Sequence, residues 1–114
     1  MYYFANIPHL PPSVHHQSGM VEVLKYLVKE GDNVPAGAPL MRVQNWWAIM
    51  EIDASGAGVV SKTFFTRGTH VNVGDPFAII ACDPEDRPRT RTEETCILRI
   101  IERVREKPGF ALDV

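Results

Sequence analysis

Few side chains in this chain are placed to do chemistry, and their spacing narrows what that chemistry could be. His9, His15 and His16 lie within residues 1–18, but two adjacent histidines do not define a metal geometry, and no cysteine or clustered acid lies near them in sequence. Cys82 and Cys96 lack the close spacing of a zinc or redox pair, and both are expected to be reduced. Glu22, Glu30 and Glu51 are scattered carboxylates with no sequence reason to pair for acid/base work. The glycines sit between β-prone runs, with no helix opening after them to receive a phosphate, and no nucleophile elbow or dinucleotide fingerprint is present. The expectation is a chain with no catalytic residues, no metal and no cofactor, which is to say not an enzyme.

The elements that position these residues follow from composition. At 114 residues the chain suits one domain with a modest core. Apolar runs fall far short of the roughly 18 residues of a membrane-crossing helix. A formal net charge of −2 removes the long-range attraction that nucleic acid or an anionic membrane would need, so neither partner is expected. The start, Met1-Tyr2-Tyr3-Phe4 followed by Pro8, Pro11 and Pro12, does not read as a secretory leader, and a cytoplasmic location is the expectation. By composition the chain divides into an N-terminal arm (1–18, expected to be solvated), a glycine-punctuated β domain (19–83), a polar linker (84–91) and a charged C-terminal segment.

The glycine-punctuated zone repeats itself. At an offset of 37 residues Gly19 pairs with Gly56, Val23 with Val60, Lys25 with Lys62 and Gly31 with Gly68; Val34, Gly37 and Pro39 then meet Val71, Gly74 and Pro76. Each half reads as a short β-prone run, a glycine turn, a Val-x-x-Gly segment and a second apolar run. This pattern predicts an all-β sandwich or flattened barrel of two halves related by a quasi-two-fold axis. For residues 92–107 the spacing predicts an amphipathic α-helix. Thr90 and Glu93 have capping-box spacing, Pro108-Gly109 would stop the helix, and Ile97, Ile100, Ile101 and Val104 fall at i, i+3, i+4 and i+7. That stripe must bury against its own domain or another chain.

The duplicated zone resembles the biotinyl/lipoyl attachment domain family across about residues 19–82. The residues that carry the resemblance are Val28-Lys29-Glu30-Gly31-Asp32-Asn33-Val34 with Ala36-Gly37-Ala38-Pro39-Leu40, and Gly58-Val59-Val60 with Gly68-Thr69-His70-Val71-Asn72-Val73-Gly74-Asp75. The family places its modified lysine at the tip of a hairpin between the halves. Here that stretch reads Gln44-Asn45-Trp46-Trp47-Ala48, anchored by Val43 before and by Glu51-Ile52 and Ala54 after. The resemblance therefore implies that Trp47 stands where the carrier lysine would be. Lys25 and Lys62 fall within the paired strands and Lys29 before a glycine turn, so none matches the tip.

A hairpin tip faces solvent, and two tryptophans there would present a large apolar surface of the kind found at interface hot spots. Asn45, Trp46 and Trp47 are thus the expected contact for a protein partner or for self-association. Strand alternation allows at most one of the two tryptophans to turn inward easily. The resemblance directs the search for a partner to enzymes of carboxylation, decarboxylation or 2-oxoacid metabolism. Two other readings stand beside this one: a carrier or accessory subunit using an unrecognised modification, and an export-system adaptor of the membrane-fusion type. The direct joining of the halves counts against the adaptor.

Overall fold

The computed structural model describes residues 1–15, 19–88 and 95–105. Within them the strands are β1 (Tyr2–Asn6), β2 (Met20–Tyr26), β3 (Asn33–Val34), β4 (Pro39–Gln44), β5 (Ala48–Ala54), β6 (Gly58–Thr63), β7 (His70–Asn72), β8 (Pro76–Ala81) and β9 (Cys96–Arg103), with a 3-10 turn at Pro84–Asp86. They form one sheet in the order β1-β8-β6-β3 and another in the order β7-β2-β4-β5-β9. Alternation sends Val21 and Val23 of β2, and Met50 and Ile52 of β5, into a single buried apolar cluster that also receives Phe77 and Ile80 from the other sheet. The architecture is a sandwich of two sheets, not a closed barrel.

The duplication is visible in the hydrogen bonds. The 37-residue offset carries β2, β3 and β4 onto β6, β7 and β8, and the pairings β2–β4 and β2–β7 exchange with β6–β8 and β6–β3. Gly31 N donates to Val60 O and Gly68 N donates to Val23 O, each at 2.8 Å, so donor and acceptor trade halves as a two-fold requires. Both glycines hold positive φ, +94° and +87°, where a side chain would be strained. β1 and β5 occupy equivalent places. Gly74 N donates to Ile7 O at 2.8 Å, as Gly37 N donates to Ala54 O at 2.7 Å.

Gly58 is needed for a different reason. A Cβ there would lie 2.4 Å from Ala81 O and 2.5 Å from Ile80 Cγ2, so β6 and β8 can approach only without it. Gly58→Ala is expected to destabilise the fold by about 1–3 kcal/mol through overpacking, read as a lower urea midpoint. An unchanged midpoint would show that the β6–β8 contact yields freely.

Two expectations are corrected. Residues 96–103 of the predicted helix are strand β9, antiparallel to β5 from Ala54↔Cys96 to Ala48↔Arg103. Cys96 is buried and Leu98 and Ile100 pack against the core, while Ile97 and Ile101 are exposed, so the apolar side chains divide between two faces instead of sharing one stripe. Thr90, Glu93 and the ends of the expected helix lie outside the described residues. The reason for the strand is a tertiary partner. On β5 the carboxylates Glu51 (7% exposed) and Asp53 (9%) need cations. Arg99 supplies one, its Nη2 donating to Glu51 at 2.9 Å and its Nε to Asp53 at 3.0 Å, while Arg42 Nη2 donates to Glu51 at 2.6 Å.

The second correction concerns the N-terminal arm. β1 pairs with β8, Tyr3, Ala5, Ile7, Leu10 and Val14 are buried, and Tyr3 Oη donates to Gly56 O at 2.6 Å. Residues 1–15 are part of the sandwich. At the start of the polar linker, where no residue of Pro84–Asp86 is buried, Asp86 and Pro88 approach Gly56 closely: a Cβ there would lie 2.2 Å from Asp86 O and 3.0 Å from Pro88 Cδ. Linker residues 89–91 lie outside the described residues. Both cysteines are free thiols, and burial pushes the Cys96 thiol up to about 12, which leaves it protonated and unreactive at neutral pH.

The charge cluster has a pH signature. Hydrogen bonds from Arg42, then from Arg99, hold the Glu51 carboxyl below its ordinary 4.5, against the opposing push of burial. A carboxyl shifted down in the folded state contributes its full stabilisation above the unfolded value and loses it as pH falls through the folded one. Urea midpoints are therefore expected to fall as the pH is lowered below 4.5. Glu51→Gln should flatten that slope and lower the midpoint at neutral pH, where Arg42 and Arg99 lose a shared carboxylate. Parallel pH profiles for the two proteins would remove Glu51 from the acid response.

Candidate functional site

The hairpin joining β4 to β5 has the tip Asn45-Trp46-Trp47, and Asn45 shapes it. Its Oδ1 accepts from Trp47 N at 2.8 Å and Ala48 N at 3.1 Å, closing an Asx-type turn, and its Nδ2 donates to Val14 O at 2.6 Å. Asn45 thus fastens the tip to the N-terminal segment and turns its polar groups inward. The two tryptophans part within the bend: Trp47 packs against the core, while Trp46 remains 57% exposed.

The chain after β9 grips this tip. Val104 N and Arg105 N both donate to Trp47 O, at 2.8 and 3.1 Å. Arg105 Nη1 donates to Trp46 O at 3.0 Å, and its guanidinium lies 3.6 Å from the centre of the Trp46 ring, in cation–π contact. Arg105 was invisible to sequence reasoning because it stands 59 residues from Trp46. Of the four residues expected to form a helix contact, Val104 reaches the tip, Ile97 and Ile101 face solvent, and Ile100 turns toward the core.

Beside the tip lies a concavity of about 400 Å³ lined by Met20, Glu22, Gln44, Asn45, Trp46 and His70, together with Val104 and Arg105. Gln44 Nε2 donates to Glu22 Oε1 at 3.0 Å on its floor. The quasi-two-fold carries the first six residues onto Ala57, Val59, Ala81, Cys82, Asp83 and Asn33, all of which line a concavity of about 650 Å³ at the other end of the sandwich. The hollow is therefore a product of the duplicated fold, and what distinguishes the hairpin end is its side chains and the added β9.

No lysine stands at the tip. Lys25 lies on β2, Lys62 on β6 with its ammonium 5.5 Å from the Phe64 ring centre, and Lys29 between β2 and β3, whereas Lys107 lies outside the described residues. Among the described residues no group of three or more histidines, cysteines or carboxylates could hold a metal ion, and no helix is long and apolar enough to cross a membrane. His16 lies outside the described residues.

Comparison with known proteins adds to this geometry. Residues 11–80 match the biotin/lipoyl family model described as "Biotin-requiring enzyme". The chain is 40% identical over 63 residues to the dihydrolipoyllysine-residue acetyltransferase component of the pyruvate dehydrogenase complex of Zymomonas mobilis, covering 54% of this chain and 14% of that protein. It is 33% identical over 81 residues to the component of the same name from Rhizobium meliloti, covering 70% of this chain and 17% of that protein. The chain thus spans less than a fifth of the length of either relative. With its duplicated halves, its inter-half hairpin and a match over most of its length, the chain belongs to the biotinyl/lipoyl attachment domain family.

Proposed function

We propose that this domain carries no biotin or lipoate and serves as a protein-binding or scaffolding module, without catalysis of its own. The observation that supports this is the composition of the tip: Asn45, Trp46 and Trp47 stand where attachment requires an amine. Biotin and lipoate are joined through an amide to a lysine ε-amine, and neither the Asn45 amide nor an indole nitrogen, whose lone pair is delocalised into its ring, is a competent nucleophile. The residues present do not fit the prosthetic group. The tip is also committed elsewhere, since Trp47 O accepts from two backbone amides beyond β9.

The exposed face of Trp46 offers the kind of rigid, amphipathic surface that anchors protein contacts. Both relatives are named as components of a multi-enzyme complex, so the partners to seek are subunits of 2-oxoacid, carboxylase or decarboxylase assemblies. The decisive measurement is the intact mass of the protein isolated from its natural source, and again after co-expression with lipoate and biotin ligases. The mass expected in both cases is that of the unmodified chain. A lipoyl or biotinyl adduct on any lysine would overturn the reading and make the chain a true carrier.

A further inference from the structure

β9 is one of the two outer strands of the five-stranded sheet, the other being the short β7, and among the described residues no strand pairs with its far edge. The direction of its backbone groups follows from the ladder. Ser55 N donates to Thr95 O at 3.3 Å, and antiparallel strands alternate between residues bonded to their partner and residues whose N–H and C=O point away. Stepping from Ser55/Thr95 through Asp53/Ile97 to Glu51/Arg99 turns the backbone groups of Leu98 and Ile100 outward, at the open edge. The chemistry that satisfies such an edge is another extended chain.

The side chains identify which chain. From Ile97 to Ile101 the sequence is Ile-Leu-Arg-Ile-Ile, an apolar palindrome about Arg99. We propose that two copies of this chain pair antiparallel through β9, with a two-fold axis beside Arg99 and the two five-stranded sheets joined into one. In this register Ile97 faces Ile101 of the second copy on the outer surface. Leu98 faces Ile100 of the second copy on the core side, and these two residues exchange the backbone hydrogen bonds that each has free. Ile97 and Ile101, 59% and 43% exposed, are covered, and the half-buried Leu98 and Ile100 complete the wall of the core.

Arg99 is the one charge in the segment, and the axis places it opposite itself. It is drawn back over β5 by Asp53 and Glu51, and the cluster of Arg42 and Arg99 with those two carboxylates sums to zero. The repulsion that would oppose self-pairing is thereby neutralised within each copy. This interface stands apart from the hairpin tip and does not depend on whether the tip is acylated.

Sedimentation equilibrium of the full chain over a range of concentrations tests the proposal. The parent should pass from monomer mass to twice that mass. Ile97→Lys with Ile101→Lys sets like charges opposite each other and should weaken the dimer by at least about tenfold, with circular dichroism unchanged and melting matching the parent at concentrations where the parent is monomeric. Oxidised Ile97→Cys with Ile101→Cys should yield a covalent dimer, while either substitution alone and the parent should not, because only the double variant places two new thiols across the axis. A parent that stays monomeric at every concentration would overturn the proposal. So would a dimer that survives the double lysine variant, one lost only on Trp46→Ala, or one cross-linked equally well by a single cysteine variant.

Discussion

Phe77→Ala is expected to cost the fold about 3–5 kcal/mol, a large fraction of the roughly 5–15 kcal/mol that a domain of this kind possesses. Phe77 has no solvent exposure and is the largest fully buried side chain among the described residues. It also sits where several supports meet. Its ring lies tilted against Tyr26 with centres 6.5 Å apart, its carbonyl accepts from Tyr26 Oη at 2.8 Å and from Phe64 N at 3.1 Å, and Tyr26 Oη in turn accepts from Phe65 N at 3.3 Å. Removing the ring leaves a cavity between the sheets and removes the surface that holds Tyr26 in place. Urea unfolding of the variant should give a midpoint close to the edge of the folded range, and Phe77→Leu should recover most of the loss. A cost below about 1 kcal/mol would mean that the sandwich collapses around the gap.

The same residue shows why part of this fold was legible in the sequence. Phe77 pairs at the 37-residue offset with Leu40, and Phe64 N to Phe77 O has its counterpart in Leu27 N to Leu40 O at 2.8 Å. A duplication writes each structural requirement twice, so the positive-φ glycines at 31 and 68, and at 37 and 74, identify one another without any knowledge of three-dimensional contacts. The segments outside the repeat carry no such second copy. In β1, Tyr3 and Ala5 alternate inward and Ile7, just beyond the strand, is buried as well, but the prolines that follow suggested a solvated arm. In and just after β9 the positions 97, 100, 101 and 104 satisfy a helical period, and only Leu98, which falls off that stripe, and the density of β-branched isoleucine argued for a strand.

What decides β9 is distant in sequence. Arg99 answers carboxylates 46 and 48 residues earlier, and Thr95 Oγ1 accepts from Asn6 N across 89 residues. Local periodicity cannot encode such pairings, because it reports which side chains share a face and not which strand waits opposite. The candidate site divides in the same way. That at most one tryptophan would turn inward easily was readable from alternation, but which one, and the grip of Val104 and Arg105 on the tip, were not, since they depend on β9 ending beside the hairpin.

That division gives the two tryptophans separable roles. Trp46→Ala removes an exposed ring whose main internal contact is the Arg105 guanidinium, so its cost to stability should stay within about 1 kcal/mol, the worth of a cation–π pair at an exposed site. Trp47→Ala removes a ring packed against the core and should cost about 2 kcal/mol, between a surface change and a full core truncation. Binding should respond in the opposite order. If Trp46 anchors a protein partner, its loss should weaken capture by about thirtyfold, the effect of a 2 kcal/mol hot spot, with the melting curve hardly moved. Trp47→Ala should weaken capture only as far as it disturbs the tip. Quantitative pull-downs from native lysate, read beside thermal melts of the same variants, separate the two effects. Equal retention of partners by the parent and Trp46→Ala would place the contact elsewhere on the domain, because nothing in the fold would then have been lost except the surface under test.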